Sequence, residues 1–222
     1  MRKILSTHAR QRKLLDSRGF STLELLIVVA IGLVLAGIAI PGYASMSRYL
    51  KITGDSRNLN GLVALAKMRA AQDFTHARVY ADLGANTYHL EYWSKGANCW
   101  KTDGDSANRC TVGASPVQPL SAGVTFGFGT VGAAAPNPQT TFGQAPACKS
   151  GVAGGAAGNT AANTACIEFN SRGIPVAASG SPTPNDALYV TDQTTVFGIT
   201  VISSGLIQSW SSPATSTAWI AR

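Results

Sequence analysis

Gly19-Phe20-Ser21-Thr22-Leu23-Glu24 opens onto an unbroken apolar run, Leu25 to Ile40, that stops at Pro41. With Phe20 to Leu23 included, the segment is about twenty residues, enough as a helix to cross a bilayer core of roughly 30 Å. It is apolar all round, so as a helix it belongs in lipid or among other helices. One acid, Glu24, sits at the mouth of this run. A carboxylate at bilayer mid-depth costs on the order of 2–3 kcal/mol, less near the interface, so such an acid is a functional candidate by default.

A cleaved secretory signal has a basic start, an apolar stretch of roughly 7–15 residues and a small-residue cleavage site after it. Here the stretch is longer, and Ala39-Ile40-Pro41-Gly42-Tyr43 is a poor site. A plain signal anchor accounts for the length but gives Gly19, Phe20, Glu24 and Pro41 no joint role.

Charge divides the chain at the same place. Residues 1–19 carry six basic side chains against Asp16, a balance of +5. The remainder carries 12 basic and 10 acidic groups, and beyond Asp73 seven oppose seven. The formal charge of +7 therefore resides mostly in the leader. A basic leader stays in the cytoplasm by the positive-inside rule, which puts the C-terminal domain outside. The balance of only +2 after the leader, and of zero beyond Asp73, argues against a nucleic-acid partner on electrostatic grounds.

Past Pro41 a helix resumes after an expected kink, because proline lacks a donor and clashes with the preceding turn. Leu59, Leu62, Val63, Ala66 and Ala70 fall at i, i+3, i+4, i+7 and i+11, one helical stripe. The half from about Ser47 to Asp73 is thus expected to lie against a β domain. Strands follow in Ala77–Leu83 and Thr87–Trp93, a hairpin about Gly84-Ala85-Asn86, then in Val124–Phe128, Cys166–Phe169, Ala187–Val190, Thr195–Ile202 and Leu206–Trp210. One long helix followed by strands is an α+β pattern. Gly132 to Asn163, rich in Ala, Gly, Pro, Thr and Asn, reads as a long surface loop with little capacity for core.

Four cysteines permit three pairings. Cys99–Cys110 and Cys148–Cys166 are favoured, because each staples a loop that lacks a core. A zinc site is the weaker rival, since no C-x-x-C pair occurs and no histidine lies near the cysteines in sequence. Disulfides suit an oxidising compartment.

Arg18-Gly19-Phe20-Ser21-Thr22-Leu23-Glu24-Leu25-Leu26 resembles the class III signal of type IV pilins and type II secretion pseudopilins. The resemblance implies that prepilin peptidase cuts between Gly19 and Phe20 and methylates the new amino terminus, so that Phe20 becomes N-methylphenylalanine. It implies an assembly role for Glu24, paired with the new amine of a neighbouring subunit, and a helix kink at Pro41. Ile167 to Gly173 and Gly198 to Gly205 resemble the closing strands of the GspH/FimT family of minor pilins and pseudopilins.

The fold implied is that of a type IV pilin. Residues 1–19 form the leader, 20–73 a long helix with its transmembrane segment at 20–40, and 74–222 an antiparallel β-sheet head with a flexible loop at about 132–164. The resemblance implies a single-pass protein of the bacterial inner membrane with a periplasmic head, partnered by other pilins or pseudopilins through the N-terminal helix. Some family members bind DNA through basic residues after the last glycine. Here Gly205 is followed by Leu206, Ile207 and Gln208, so DNA binding is not expected.

Enzyme readings find little footing. The chain after the leader has two histidines, His76 and His89, and shows no serine elbow, H-E-x-x-H or phosphate-cradling loop. His76 is expected to be a solvated histidine at a helix end. Asp103 to Asn108 lacks the correctly spaced glycine and the final glutamate of an EF-hand and reads as a polar turn. No metal or cofactor is expected.

Overall fold

The computed structural model describes residues 21–137, 139, 142–151, 158–177, 179–183 and 185–222. The expected leader, with Gly19 and Phe20, lies outside them. The chain divides into two units, the first ending at Ala44 and the second spanning Ser45–Arg222.

A single helix, α1, runs Thr22–Gln72 and belongs to both units. Ser21 starts it: its hydroxyl accepts from the Glu24 amide at 3.2 Å, and its carbonyl accepts from the Leu25 amide at 3.1 Å. A serine cap followed three residues later by glutamate is the arrangement of a helix N-terminus. In the first unit the large apolar side chains from Leu23 to Ile40 are exposed. Pro41 falls inside the continuous span of α1.

In the second unit the stripe becomes a buried face. Ile52, Leu59, Val63, Ala66 and Ala70 are fully buried, and Leu62 nearly so. Removing each large one from water contributes about 1.5–3 kcal/mol. After Gln72 come β1 (Ala77–Asp82), β2 (Thr87–Ser94), β3 (Cys99–Thr102), β4 (Gln118–Pro119), β5 (Thr125–Phe126) and β6 (Thr164–Phe169). They are followed by β7 (Pro175–Val176), β8 (Asn185–Thr191), β9 (Thr195–Ile202), β10 (Ile207–Pro213) and β11 (Ile220–Ala221).

These strands form two antiparallel sheets, which with the helix make the expected α+β architecture. One has the order β3-β2-β1-β6-β7 with β4 also on β2; the other has the order β11-β10-β9-β8-β5. Strand alternation sends one face of each sheet to a common core with the helix stripe. Ala77, Val79, Ala81, Tyr88, Leu90, Ile167 and Phe169 come from the first sheet, and Leu188, Val190, Phe197, Ile199 and Val201 from the second.

The opposite faces are also covered. Behind the second sheet a smaller apolar cluster gathers Val131, Ala135, Ala187, Tyr189, Val196 and Ala214, with Phe142 and Trp219 packed against it. Within the loop expected at about 132–164, Ala135, Phe142 and Ala145 are packed into apolar clusters, so this part is not the coreless surface loop that its composition suggested; residues 138, 140, 141 and 152–157 lie outside the described residues. Ala135 and Ala145 are buried because small side chains let the backbone lie close on the sheet. Gln144 holds the segment down like an added strand, its amide donating to the Tyr189 carbonyl and accepting from the Tyr189 amide, both at 2.8 Å. The Tyr189 hydroxyl donates to Gln139 Oε1 and accepts from the Ala135 amide.

Candidate functional site

Two regions hold chemistry that bulk packing leaves unexplained. The first is the start of α1. Glu24 lies in its first turn, where the helix dipole and the Ser21 cap favour a carboxylate. From Leu23 to Ile40 the side chains present apolar surface, by length and composition enough to span a membrane. Left in water, such a surface is costly.

The second region is the outer face of the first sheet. Arg78 on β1 and Glu91 on β2 are register partners. Arg78 Nε donates to Glu91 Oε2 at 2.7 Å, and Nη2 lies 2.6 Å from the same oxygen, with the two side chains 1% and 0% exposed. The other carboxylate oxygen accepts from the Gly113 amide at 2.7 Å and meets His89 Nε2 at 3.2 Å. Burial alone would raise the Glu91 carboxyl. The His89 ring, the Arg78 guanidinium and the Gly113 amide outweigh it and hold the group below its ordinary range. The guanidinium also stacks 3.9 Å from the Trp100 ring centre and donates to the Lys149 carbonyl. This is a structural ion pair whose acid is occupied by donors, although Arg78 Nη2 and His89 Nδ1 are buried without a well-aligned hydrogen bond.

Beside it lies a cavity of about 190 Å³ whose lining includes Arg78, Lys149, Glu168, Thr183 and Asp186. Glu168 is held by His76, Nδ1 to Oε1 at 2.8 Å. The expectation of a solvated His76 is corrected: it lies beyond the helix end, half-buried, because β1 carries it to β6, where Glu168 stands. Asp73 pairs instead with Arg69 at 2.9 Å. Burial pushes the Asp186 carboxyl up to about 6, and the Thr183 hydroxyl only partly offsets this.

The disulfides join Cys99 to Cys110 and Cys148 to Cys166. The turn at Asp103–Asn108 closes on Asp105, whose carboxylate accepts from the Ala107 and Arg109 amides and the Arg109 side chain. Among the described residues no group of three or more His, Cys, Asp or Glu is placed to hold a metal ion.

The two C-terminal stretches, 167–173 and 198–205, converge on one residue of α1. Lys67 Nζ donates to the Gly205 carbonyl at 2.9 Å, and a Cβ on Gly205 would stand 2.3 Å from the Gly173 carbonyl oxygen. Both glycines have positive φ. That approach admits only glycine at 205. The Arg78–Glu91 pair is the main feature that pattern reading missed. Its only sequence signal is a charge on each of two adjacent strands at positions that pair in the hairpin.

Compared with known proteins, the chain matches no family model, no curated protein and no solved structure.

Proposed function

We propose that the chain is a non-catalytic filament subunit of the type IV pilin kind, a minor pilin that serves as a structural or priming subunit near a pilus tip. In this reading prepilin peptidase removes residues 1–19, Phe20 is methylated, and the apolar half of α1 passes from the inner membrane into a bundle of like helices. The observation that carries it is the single acid, Glu24, at the head of an exposed apolar helix that continues into the core of a disulfide-stapled β head.

The electrostatic logic is specific. Cleavage before Phe20 creates a positive amine four residues from Glu24. In a packed bundle the amine of an arriving subunit meets the Glu24 of a neighbour. Opposite charges attract strongly where the dielectric is low, and either one alone is penalised. The pairing therefore fixes the axial register of each subunit.

A minor pseudopilin of a type II secretion system is the same device on a different filament and remains the second reading. A DNA-capturing pilin fits less well, because the residues beyond Asp73 are electrically balanced. The test is fractionation of sheared surface filaments from cells expressing the chain. Its recovery with pili, lost when the pilus assembly machine is deleted, supports a minor pilin. Recovery only with secretion pseudopili selects the second reading, and absence from both removes the proposal.

A further inference from the structure

The cavity beside the Arg78–Glu91 pair holds an acid that the pair does not use. Asp186, near the start of β8, is 5% exposed and lines this space of about 190 Å³ together with Thr183, Glu168 and the apolar Val176 and Ala177. Pro146, Ala147 and Ser179, also in the lining, are exposed, so the cavity opens to solvent. Its volume lies below the roughly 300 Å³ at which pockets for drug-sized ligands begin, so it suits a small group.

Asp186 is short of partners. Thr183 Oγ1 donates to its Oδ2 at 3.0 Å. That hydroxyl favours the ionised form, and no cation stands close enough to offset the burial. The charges on the neighbouring elements do not serve it. Arg78 on β1 is bound to Glu91 on β2, Glu168 on β6 is held by His76, and Lys149 makes no ion pair with a described residue. Asp186 Oδ1 and Glu168 Oε2 accept from no described donor, yet neither is among the polar atoms sealed from solvent, so each keeps accessible surface.

We propose that this cavity binds an aliphatic primary ammonium, seated on Asp186. An ammonium carries three donors and no acceptor. Asp186 Oδ1 and the lone pairs of Thr183 Oγ1 can accept from it, and Glu168 adds a second negative charge to the same lining. Val176 and Ala177 suit the methylenes of the chain behind the charge. A neutral alcohol or amide leaves the buried carboxylate uncompensated, and an anion is repelled by it. Calcium takes six to eight oxygens, whereas this lining offers two carboxylates among apolar walls. A free amine and the lysine side chain of a partner protein share the chemistry. The inference does not depend on the filament reading, since every residue it uses lies in the second unit.

The test is carbon-13 nuclear magnetic resonance on the full chain in uncharged detergent micelles near pH 7, reading the side-chain carboxyls of Asp186 and Glu168. The probes are n-butylammonium and N-acetyl-lysine N-methylamide, with n-butanol and calcium chloride as comparisons at matched ionic strength. A saturable shift of the Asp186 signal with n-butylammonium is expected, with n-butanol weaker by at least about tenfold, the loss of a charge-assisted contact. Asp186→Asn removes an uncompensated buried charge and is expected to fold. Read at Glu168, it is expected to bind n-butylammonium about tenfold more weakly. Saturable binding of the lysine probe as well assigns the site to a lysine side chain; binding of n-butylammonium alone assigns it to a free amine. Shifts that rise without saturating overturn the proposal. So do n-butanol or calcium binding as tightly as the amine, or an unchanged affinity in Asp186→Asn.

Discussion

Arg78 and Glu91 face each other across the β1–β2 ladder as a buried ion pair, and a residue shortly after Cys110 and one after Cys148 bond to them. Gly113, three residues past Cys110, donates its amide to Glu91, while Lys149, next to Cys148, accepts from Arg78 through its carbonyl. The pair thus clamps two loops that have little apolar core of their own. Removing one partner strands the other charge in a dry site. Glu91→Ala is expected to lower unfolding free energy by about 3–5 kcal/mol, whereas replacing both by apolar residues of similar size costs far less. Urea unfolding of the detergent-solubilised chain measures both. Equal losses for the single and the double variant would contradict the clamp.

Asp186 gives the opposite sign of pH dependence. Its carboxyl is raised to about 6 in the folded chain, against about 3.9 for an unfolded aspartate. Between those values the folded state holds the proton and the unfolded state does not, so stability falls as pH rises from roughly 4 through 6. The difference of about two pKa units corresponds to roughly 3 kcal/mol at neutral pH. Asp186→Asn is expected to gain stability relative to the parent at pH 7 and to converge with it near pH 4. Parallel pH profiles for the two proteins would contradict this. Glu91, held low, contributes in the other direction: its share is present above about pH 4.3 and is lost as pH falls below that value.

The two disulfides enclose loops with separations of 11 and 18 residues. Restricting the unfolded chain, each contributes about 3 kcal/mol. Cys99→Ala/Cys110→Ala and Cys148→Ala/Cys166→Ala are each expected to lower the melting temperature by several degrees. Both are also expected to loosen the Arg78–Glu91 clamp, read as faster hydrogen exchange at the Gly113 amide. Unchanged exchange at Gly113 would show that the loops hold their positions without the cross-links.

Much of this fold was legible where one pattern ran unopposed. The stripe from Leu59 to Ala70 has helical spacing and no competing signal, and it became the buried face of α1. The hairpin about Asn86 was marked by alternating strands on either side of turn residues, and Asn86 indeed takes positive φ. The outer faces were not legible. Arg78, His89 and Glu91 alternate with Val79 and Leu90 as solvent-facing residues do, because local alternation says which face a side chain takes and not whether a distant segment covers it. Ala135 and Gln144, inside the expected loop, were misread for the related reason that alanine and glutamine carry weak signals alone. Their place is set by Tyr189, some fifty residues on. Short strands such as β3 and β7 owe their state to a neighbouring strand rather than to their own composition.

At the start of α1, Glu24 has a local role at the helix cap and a proposed role between subunits, and one substitution separates them. Glu24→Gln retains the shape and the capping capacity but removes the charge. Processing of the leader is expected to proceed in this variant while recovery in sheared filaments falls by at least about tenfold, in keeping with the loss of a partner for a desolvated amine. Filament recovery equal to that of the parent would leave Glu24 with its capping role alone.

The central claim is that this chain enters the membrane as a precursor and leaves its first nineteen residues behind. The intact mass of the protein extracted from membranes of a pilus-bearing host tests it most directly. A mass equal to residues 20–222 plus one methyl group, with both disulfides closed, is the result expected. A mass that retains Met1 through Gly19 would contradict the account.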